Sequence, residues 1–247
     1  MKKESVLSAI VLLSAWALVG AFHLVNPLFL PPPWKVFTVL FGLCYTGSIL
    51  GDVLKTLYRM VLGFGLGAAI GIPIGLLMGR SDKVYRSLEF LVDFFRSIPV
   101  TALFPLFLVI FGIGDLAKCS IVAWSTGLII LVNTVYGVKS AKKTRIMVAQ
   151  TMGASNLETF TKVIFFEGVP HIVAGLRTSL SMALIVVIVT EMFMGTESGI
   201  GRRIFDASVT YRTPEMYSAI ICAGLLGFLL NKIFVFAETK LIHWRGK

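Results

Sequence analysis

Charged residues are scarce in this sequence. They make up 15% of the 247 residues, whereas hydrophobic residues make up 56%. An ordinary soluble domain carries about 25% charged residues. The composition therefore excludes an ordinary soluble domain and indicates a chain that lies mostly within a lipid bilayer.

Motifs for catalysis and for disulfide bonding are also lacking. The sequence contains no G-x-x-x-x-G-K-[ST] segment, the loop whose backbone amides hold ATP phosphates. Cys119 and Cys222 lie in hydrophobic runs and Cys44 lies alone, so no disulfide framework is indicated. The three histidines fall at the ends of hydrophobic runs, and no metal-binding set or catalytic constellation can be assembled. We therefore expect no bound metal or cofactor, and a membrane-embedded enzyme is the less favoured function.

Long hydrophobic runs are abundant. A helix needs about 20 apolar residues to cross roughly 30 Å of hydrocarbon, and unbroken apolar runs favour helices over the alternating strands of a membrane barrel. The sequence therefore predicts an all-α integral membrane protein with about six membrane-spanning helices. The predicted spans are Val6–Val25, Met60–Met78, about Ile98–Ile113, Cys119–Val138, Pro170–Met194 and Met216–Phe236.

The N-terminal part of the chain is set apart by the proline run from Pro31 to Pro33, which a continuous helix cannot contain. The first hydrophobic run has the basic start of a signal peptide, but it is longer than a signal core, so we expect a retained helix. We divide the chain into residues 1–53, an N-terminal anchor helix with an outer-surface segment, and residues 54–247, the membrane core.

The distribution of positive charge predicts the orientation, because Lys and Arg are enriched in cytoplasmic loops. With both termini in the cytoplasm, the inside segments carry twice as many Lys and Arg residues as the outside segments. The terminal segments contribute Lys2, Lys3, Lys240, Arg245 and Lys247. This bias accounts for the net charge of +10, which therefore does not indicate binding to nucleic acid.

The second predicted span has a glycine at every fourth position. On a helix these glycines form one stripe, along which another backbone can approach closely, and such packing drives helix association in lipid. The pattern predicts that this helix packs inside the bundle through Gly63, Gly67, Gly71, Gly75 and Gly79.

The third predicted span contains Pro99 and Pro105. Proline bends a helix because it frees a carbonyl group and clashes with the preceding turn. A bent helix suits a pathway that opens and closes, although many purely structural spans also contain proline. Both prolines are therefore candidate pathway or gate residues.

The fifth predicted span contains two ionisable residues, Arg177 and Glu191. Such a group costs about 2.5–3.5 kcal/mol at the bilayer centre on insertion scales. Arg177 either snorkels to the cytoplasmic interface or faces a transport pathway. Glu191 precedes a Gly-rich, flexible segment; it either pairs with a neighbour such as Arg202 or Arg203, contacts a partner protein, or holds an outer gate closed.

A polar segment, residues 146–166, separates two hydrophobic runs and reads IMVAQTMGASNLETFTKVIFF. Gly153 can end a first helix in the left-handed conformation, and Ser155 with Glu158 predicts a capping box that starts a second helix. An apolar stripe at helical spacing consists of Ile146, Ala149, Gly153, Leu157, Phe160 and Ile164. Such a helix pair lies on the membrane surface, packs on its own bundle or inserts into a partner's groove.

The polar segment resembles the EAA loop of bacterial ATP-binding-cassette importer permeases. Gly153 matches the hallmark glycine of that loop, and Ala154 and Ser155 follow it. Met147 and Phe166 depart from the pattern, since a Glu and a Pro are usual there. The likeness covers nearly the whole chain through FLPPPWKVF, LKTLYRMVLGFGLGAAIGIPIGLLMGRS, FGIGDLAK and VPHIVAGLRTSLSMALIVVIVTEMFMGTESGIG. It is strongest to the permeases for nitrate, taurine, aliphatic sulfonates and bicarbonate.

This resemblance implies a type I importer permease fold in the inner membrane, with a cytoplasmic coupling loop at about residues 139–168. Two permease copies, as a homodimer, would form the pathway, and an extracytoplasmic binding protein would deliver the substrate. Each loop would insert into a cytoplasmic ATPase subunit, which binds ATP and Mg. The loop residues implied in this contact are Ala149, Gln150, Met152, Gly153, Ala154, Ser155, Leu157, Phe160 and Ile164.

The resemblance implies that the substrate is a small anion such as nitrate, a sulfonate such as taurine, or bicarbonate. The same importer type also carries organic substrates that resemble vitamin precursors. An ion-gradient-driven carrier is a further alternative, but such a carrier needs buried acids in several spans, and Glu191 is the only acid in the predicted spans.

Overall fold

The computed structural model describes residues 3–241, and within that range all regular structure is helical. Of the predicted terminal charges, Lys2, Arg245 and Lys247 lie outside the described residues. The helices are α1 (Lys3–Ala21), α2 (Pro33–Tyr45), α3 (Ser48–Arg80), α4 (Asp82–Ser97), α5 (Phe104–Phe111), α6 (Asp115–Lys139), α7 (Lys143–Thr151), α8 (Asn156–Thr159), α9 (Phe165–Phe193), α10 (Ile200–Val209) and α11 (Thr213–Leu241). A 3₁₀ turn, Val100–Leu103, precedes α5, and a π turn, Phe160–Ile164, joins α8 to α9.

Four helices in the described range are long and apolar enough to cross a membrane. They are Ser48–Arg80, Asp115–Lys139, the continuous Asn156–Phe193 and Thr213–Lys240. The segment from α4 to α5 makes a fifth if its two parts, which meet at 92°, count as one bent span. The predicted all-α membrane architecture is confirmed.

Two of the predicted spans are not single membrane-spanning helices in the structure. The first was expected to reach Val25, but α1 ends at Ala21, and its apolar part is shorter than a full span. The chain turns there through His23, which has a φ of 50°, and Pro32 folds back against Gly20.

The third predicted span is not one helix. Ile98 is extended, Pro99 caps a 3₁₀ turn, and Pro105 lies in the first turn of the eight-residue α5. Proline disfavours helical geometry in the residue before it, so the chain breaks at Ile98. Pro105 is tolerated because the first turn of a helix leaves its amides unpaired.

The centre of the bundle is the seam between α3 and α6, which run in the same direction. A Cβ atom added at Gly67 would lie 2.3 Å from Thr126 Oγ1, and one at Gly71 would lie 2.5 Å from the Gly127 carbonyl oxygen. The other three glycines of the stripe, Gly63, Gly75 and Gly79, meet α6 at comparable distances. The two backbones are therefore in contact with no side chain from α3 between them.

Helix α9 packs antiparallel on another side of α6. Gly168 lies against Gly137, and a Cβ atom at Gly175 would lie 2.5 Å from Asn133 Cβ. Helix α6 is the most buried of the four long spans, whereas α11 has few fully buried residues. Helix α11 is held at one end by α1 and α2, where Ser218 Oγ donates to the Val36 carbonyl and Trp16 packs on Tyr217.

Candidate functional site

The polar segment forms a helix, a break and a second helix, as predicted. Helix α7 ends at Thr151, and Gly153 is left-handed with a φ of 84°. The Gly153 amide donates to the Gln150 carbonyl at 2.9 Å, and the Ala154 amide donates to the Ala149 carbonyl at 3.0 Å. These bonds satisfy carbonyl groups that the end of a helix leaves open.

The predicted capping box is also present. The Glu158 amide donates to Ser155 Oγ at 3.3 Å, and the Ser155 amide donates to Glu158 Oε2 at 3.0 Å. Lys162 Nζ lies 2.9 Å from Glu158 Oε1. The start of α8 is therefore fixed by its own side chains.

The π turn that follows α8 was not foreseen from the sequence. A π turn inserts an extra residue into a helix and often occurs at functional positions. Thr159, just before it, is buried, and its hydroxyl oxygen has no hydrogen-bond partner among the described residues. The Arg80 guanidinium lies over the Phe160 ring at 5.1 Å. The turn therefore rests against the end of α3, a contact that no local pattern could indicate.

The exposed apolar surface of the polar segment coincides with the predicted stripe only in part. Four stripe residues, Ile146, Ala149, Phe160 and Ile164, are half-buried, because α7 packs against α8 and the π turn. The exposed large apolar residues are Leu157 of the stripe together with Met147, Val148, Met152 and Phe166, and Met152 is 83% exposed. Of the remaining predicted contact residues, Gln150, Gly153 and Ser155 are exposed and Ala154 is half-buried.

The polar segment is fastened to the bundle at its start. Glu167 on α9 accepts a hydrogen bond from the Lys142 amide at 2.6 Å and forms an ion pair with Arg145. On the preceding helix, Lys139 Nζ lies 3.0 Å from the centre of the Tyr85 ring of α4. Glu167 therefore connects the start of α7 to α9.

A buried ion cluster, consisting of Thr56, Arg59, Asp115 and Glu191, lies at the opposite end of the long helices. Glu191 is completely buried. Its carboxylate accepts hydrogen bonds from Arg59 Nη1 at 2.6 Å, from Thr56 Oγ1 at 2.9 Å and from the Gly201 amide at 3.0 Å. Asp115 accepts from Arg59 Nε at 2.7 Å. The cluster thus joins α3, α6 and α9.

The predicted partners of Glu191 were wrong. Arg202 pairs with Asp206, and Arg203 pairs with Asp52 and Glu215. The partner is Arg59, which lies just outside the predicted second span because that span starts at Met60. Helix α3 begins twelve positions earlier, at Ser48, and this brings Arg59 into the bundle. The sequence offered one signal for this pairing, namely that Arg59 directly precedes the hydrophobic run of the second predicted span.

The segment after α9, residues 194–199, is held in place, although its glycines had indicated flexibility. Arg59 donates to Thr196 Oγ1 and to the Ser198 carbonyl, both at 2.8 Å. Buried Lys118 donates to the Gly195 carbonyl at 2.8 Å. Because Glu191 has no exposed surface, a direct contact between it and a partner protein is not possible in this conformation.

Two glycines make room for the Glu191 side chain and for the backbone of α9 beside it. Gly199 has a φ of 133°, and a Cβ atom there would lie 2.4 Å from Glu191 Cδ. A Cβ atom at Gly201 would lie 2.1 Å from the Ile188 carbonyl oxygen. The Gly-rich sequence after α9 therefore serves close packing around a buried charge.

Arg177 lies on α9 between these two ends, and its side chain is 46% exposed. Its Nε donates to Asn231 Oδ1 on α11 at 3.2 Å, and its Nη1 lies 3.8 Å from Glu238 Oε2. Pro99 and Pro105 lie at the bend between α4 and α5. The candidate pathway residues are therefore not gathered at one point.

Comparison with known proteins gives a consistent result. A family model described as the inner membrane component of binding-protein-dependent transport systems matches residues 71–243. A putative aliphatic sulfonates transport permease protein of Bacillus subtilis is 30% identical over 96% of this chain and 85% of its own length. The taurine transport system permease protein of Escherichia coli is 29% identical over 96% of this chain and 88% of its own length.

A solved structure of the MetNI methionine ABC transporter in an inward-facing conformation is similar with a TM-score of 0.68. The match covers 81% of this chain and 96% of that chain at 20% sequence identity. At this identity the likeness shows a shared fold.

Proposed function

Because the chain belongs to the family of inner membrane components of binding-protein-dependent transport systems, we propose that it is the permease subunit of an ATP-driven importer for a small anion. The chain is a multi-pass inner membrane protein, a transport subunit rather than an enzyme, and it has the fold of the type I importer permeases. The observation that carries the proposal is the polar segment, an exposed helix pair fastened to the bundle.

The polar segment has the properties of a docking element. An apolar surface surrounded by polar residues marks a site of protein interaction. Met147, Val148, Met152 and Leu157 form such a surface, with Gln150 and Gly153 between them. We propose that this surface binds a cytoplasmic ATPase subunit, which supplies ATP and Mg, and that both termini are cytoplasmic.

The rest of the assembly follows from the same family membership. A second copy of the permease would complete the pathway, and an extracytoplasmic binding protein would deliver the substrate at the end that carries the buried ion cluster. The names of the sulfonate and taurine relatives support an anionic substrate. Nitrate and bicarbonate have the same charge and belong to the same proposed substrate class.

The experiment is the co-purification of the tagged permease from its native membranes in mild detergent, with ATPase activity measured on the recovered proteins. We expect a nucleotide-binding subunit with the unaltered chain and its loss with Met152→Asp, which puts a charge in the proposed contact. Lys35→Asp, an exposed position on α2, is the control that retains the subunit. Recovery of the permease without any ATPase, or equal recovery with Met152→Asp, would contradict the proposal.

A further inference from the structure

One face of α9 is polar and exposed although the helix spans the membrane. Arg177, Thr178 and Ser181 are all exposed, and Ser181 comes four positions after Arg177 and three after Thr178, so it lies next to both on the helix surface. We call these three residues the polar face of α9. Asn231 of α11 extends it, because its side chain accepts the hydrogen bond from Arg177.

The polar face lies at membrane depth. Gly168 packs against Gly137 near the end of α6, and Arg177 comes nine residues later on α9. At 1.5 Å per residue, Arg177 is about 13 Å further along the helix, and Ser181 is about 6 Å beyond Arg177. Ionisable side chains at such depth face a bundle interior or a water-filled cavity and seldom face lipid.

The neighbouring helix α11 shows what a lipid-facing surface of this chain looks like. Its exposed side chains at the same depth are apolar and include Leu225, Leu229 and Ile233. The one exposed cation among them, Lys232, lies over the ring of Phe228 at 5.0 Å. A lysine on an apolar stripe is typical of snorkelling, whereas Arg177 is followed by hydroxyl side chains.

Snorkelling does not explain the polar face, because Ser181 is deeper than Arg177 and cannot reach the interface. The hydrogen bond to Asn231 instead holds Arg177 beside the hydroxyl groups. The nearest carboxylate oxygen, Glu238 Oε2, is 3.8 Å away, and nearly half of the Arg177 side chain stays exposed. The guanidinium can therefore attract a further anion.

We infer that the polar face of α9 lines the water-filled transport path, on the side turned toward the second permease copy, and that Arg177 supplies the positive charge that favours anions there. This inference rests on the proposed importer function and names the residues that give it anion preference. Arg177 acts as a selectivity residue through long-range attraction.

The test measures water access and charge preference without knowledge of the substrate. It uses the assembled complex in native membranes, in a background with Cys44→Ser, Cys119→Ala and Cys222→Ser that still co-purifies with its ATPase. Ser181→Cys is treated with two small methanethiosulfonate reagents, one bearing a sulfonate and the other a quaternary ammonium group. Leu229→Cys, on the apolar face of α11, is the matched control.

We expect Ser181→Cys to react with both reagents, about threefold faster with the sulfonate, since the Arg177 guanidinium attracts one reagent and repels the other while Glu238, 3.8 Å from it, offsets part of its charge. Adding Arg177→Gln should remove that preference while reaction continues, whereas Arg177→Lys should retain it. Leu229→Cys should not react. The inference is overturned if Ser181→Cys is as unreactive as the control, or if Arg177→Gln leaves the preference unchanged.

The two proposals fail separately. An unreactive Ser181→Cys in a complex that still contains its ATPase overturns the pathway assignment and leaves the importer function standing. In the second case, Ser181→Cys reacts faster with the sulfonate reagent, as expected, but the permease never binds an ATPase. That result supports a water-filled anion path and overturns the ATP-driven importer.

Discussion

Arg59 and Glu191 are 132 positions apart in the sequence and form a completely buried ion pair. Removal of one member of such a pair is costly because the other charge stays buried without compensation, typically at about 3–5 kcal/mol. Replacement of both members removes that penalty. The same geometry explains why the segment after α9 is ordered, since Arg59 also binds Thr196 and the Ser198 carbonyl.

At this scale we predict that Arg59→Met lowers the free energy of unfolding by about 3–5 kcal/mol. Arg59→Met combined with Glu191→Gln should lose less than the sum of the single changes, because Gln carries no charge to strand. The measurement is an SDS titration of the purified chain in mixed micelles. Arg202→Met is the control, since its pair with Asp206 is partly exposed and such pairs contribute about 0–1 kcal/mol. Additive losses in the double variant would contradict the prediction.

Among the elements, the seam between α3 and α6 requires glycine at some positions of α3 and not at others. A Cβ atom at Gly71 would meet the backbone carbonyl of Gly127 at 2.5 Å, whereas one at Gly65 has no neighbour within 4 Å. Backbone cannot move aside as a flexible side chain can. The two glycines are therefore matched in helix and in chemistry, and they differ in packing alone.

We predict that Gly71→Ala destabilises the bundle by roughly 1–3 kcal/mol, the usual cost of an overpacked core. Gly65→Ala should be neutral or stabilising by up to about 1 kcal/mol, because Ala is the better helix former. Thermal unfolding of the two variants in detergent measures the difference. Equal melting temperatures would contradict the prediction, because they would show that α3 and α6 accommodate an added methyl group at Gly71.

The polar segment depends on Gly153 for its turn, and Gly47 offers a matched comparison. Both are left-handed, with φ of 84° and 70°, and neither has a neighbour within 4 Å of an added Cβ atom. An Asp at either position costs about 1–2 kcal/mol of backbone strain at most. Only Gly153 lies within the proposed ATPase contact.

We predict that Gly153→Asp abolishes ATP-dependent uptake while the protein still inserts, and that Gly47→Asp inserts and retains uptake. Uptake is measured with radiolabelled taurine in membrane vesicles that contain the full complex, if taurine proves to be carried, and otherwise by ATPase stimulation. Normal uptake by a well-expressed Gly153→Asp protein would defeat the coupling role.

Sequence alone predicted the elements that depend on neighbouring residues. The apolar runs indicated the long helices, Ser155 with Glu158 indicated a helix start, and Gly153 indicated a break. The ion pair of Arg59 and Glu191 could not be predicted, because it depends on how helices far apart in sequence are placed. The π turn and the half-burial of the predicted stripe depend on the same tertiary contacts.

For the whole molecule, the direction of the helices follows from one assignment, that the polar segment is cytoplasmic. Helices α3 and α6 then run inward, α9 runs outward and α11 runs inward. The described end of α11 is then on the cytoplasmic side, and we propose the same side for the start of α1, in agreement with the excess of Lys and Arg in the predicted inside segments.

We therefore predict that green fluorescent protein fused after Lys247 is fluorescent in intact cells, since it folds in the cytoplasm and not after export in unfolded form. A cysteine at Lys35 should react with an impermeant thiol reagent added outside, whereas one at Thr151 should react only after the cells are opened. The background carries the Cys44→Ser change, because Cys44 is exposed. The opposite labelling pattern would place the polar segment on the outer side of the membrane, where a cytoplasmic ATPase subunit could not bind it.

The close seam of α3 and α6 has a mechanical consequence. Backbone meets backbone at Gly71 and Gly127, and side chains of α6 such as Val122 and Thr134 fill the space at other glycines of the stripe, so a slide of one helix along the other would drive α6 atoms into the α3 backbone. We therefore expect α3 and α6 to tilt together as one rigid unit. Helix α3 has 33 residues and is therefore about 50 Å long. A tilt of about 5° would move one end of such a helix by roughly 4 Å relative to the other, so we expect a displacement of the cytoplasmic end to be accompanied by one on the far side of the membrane.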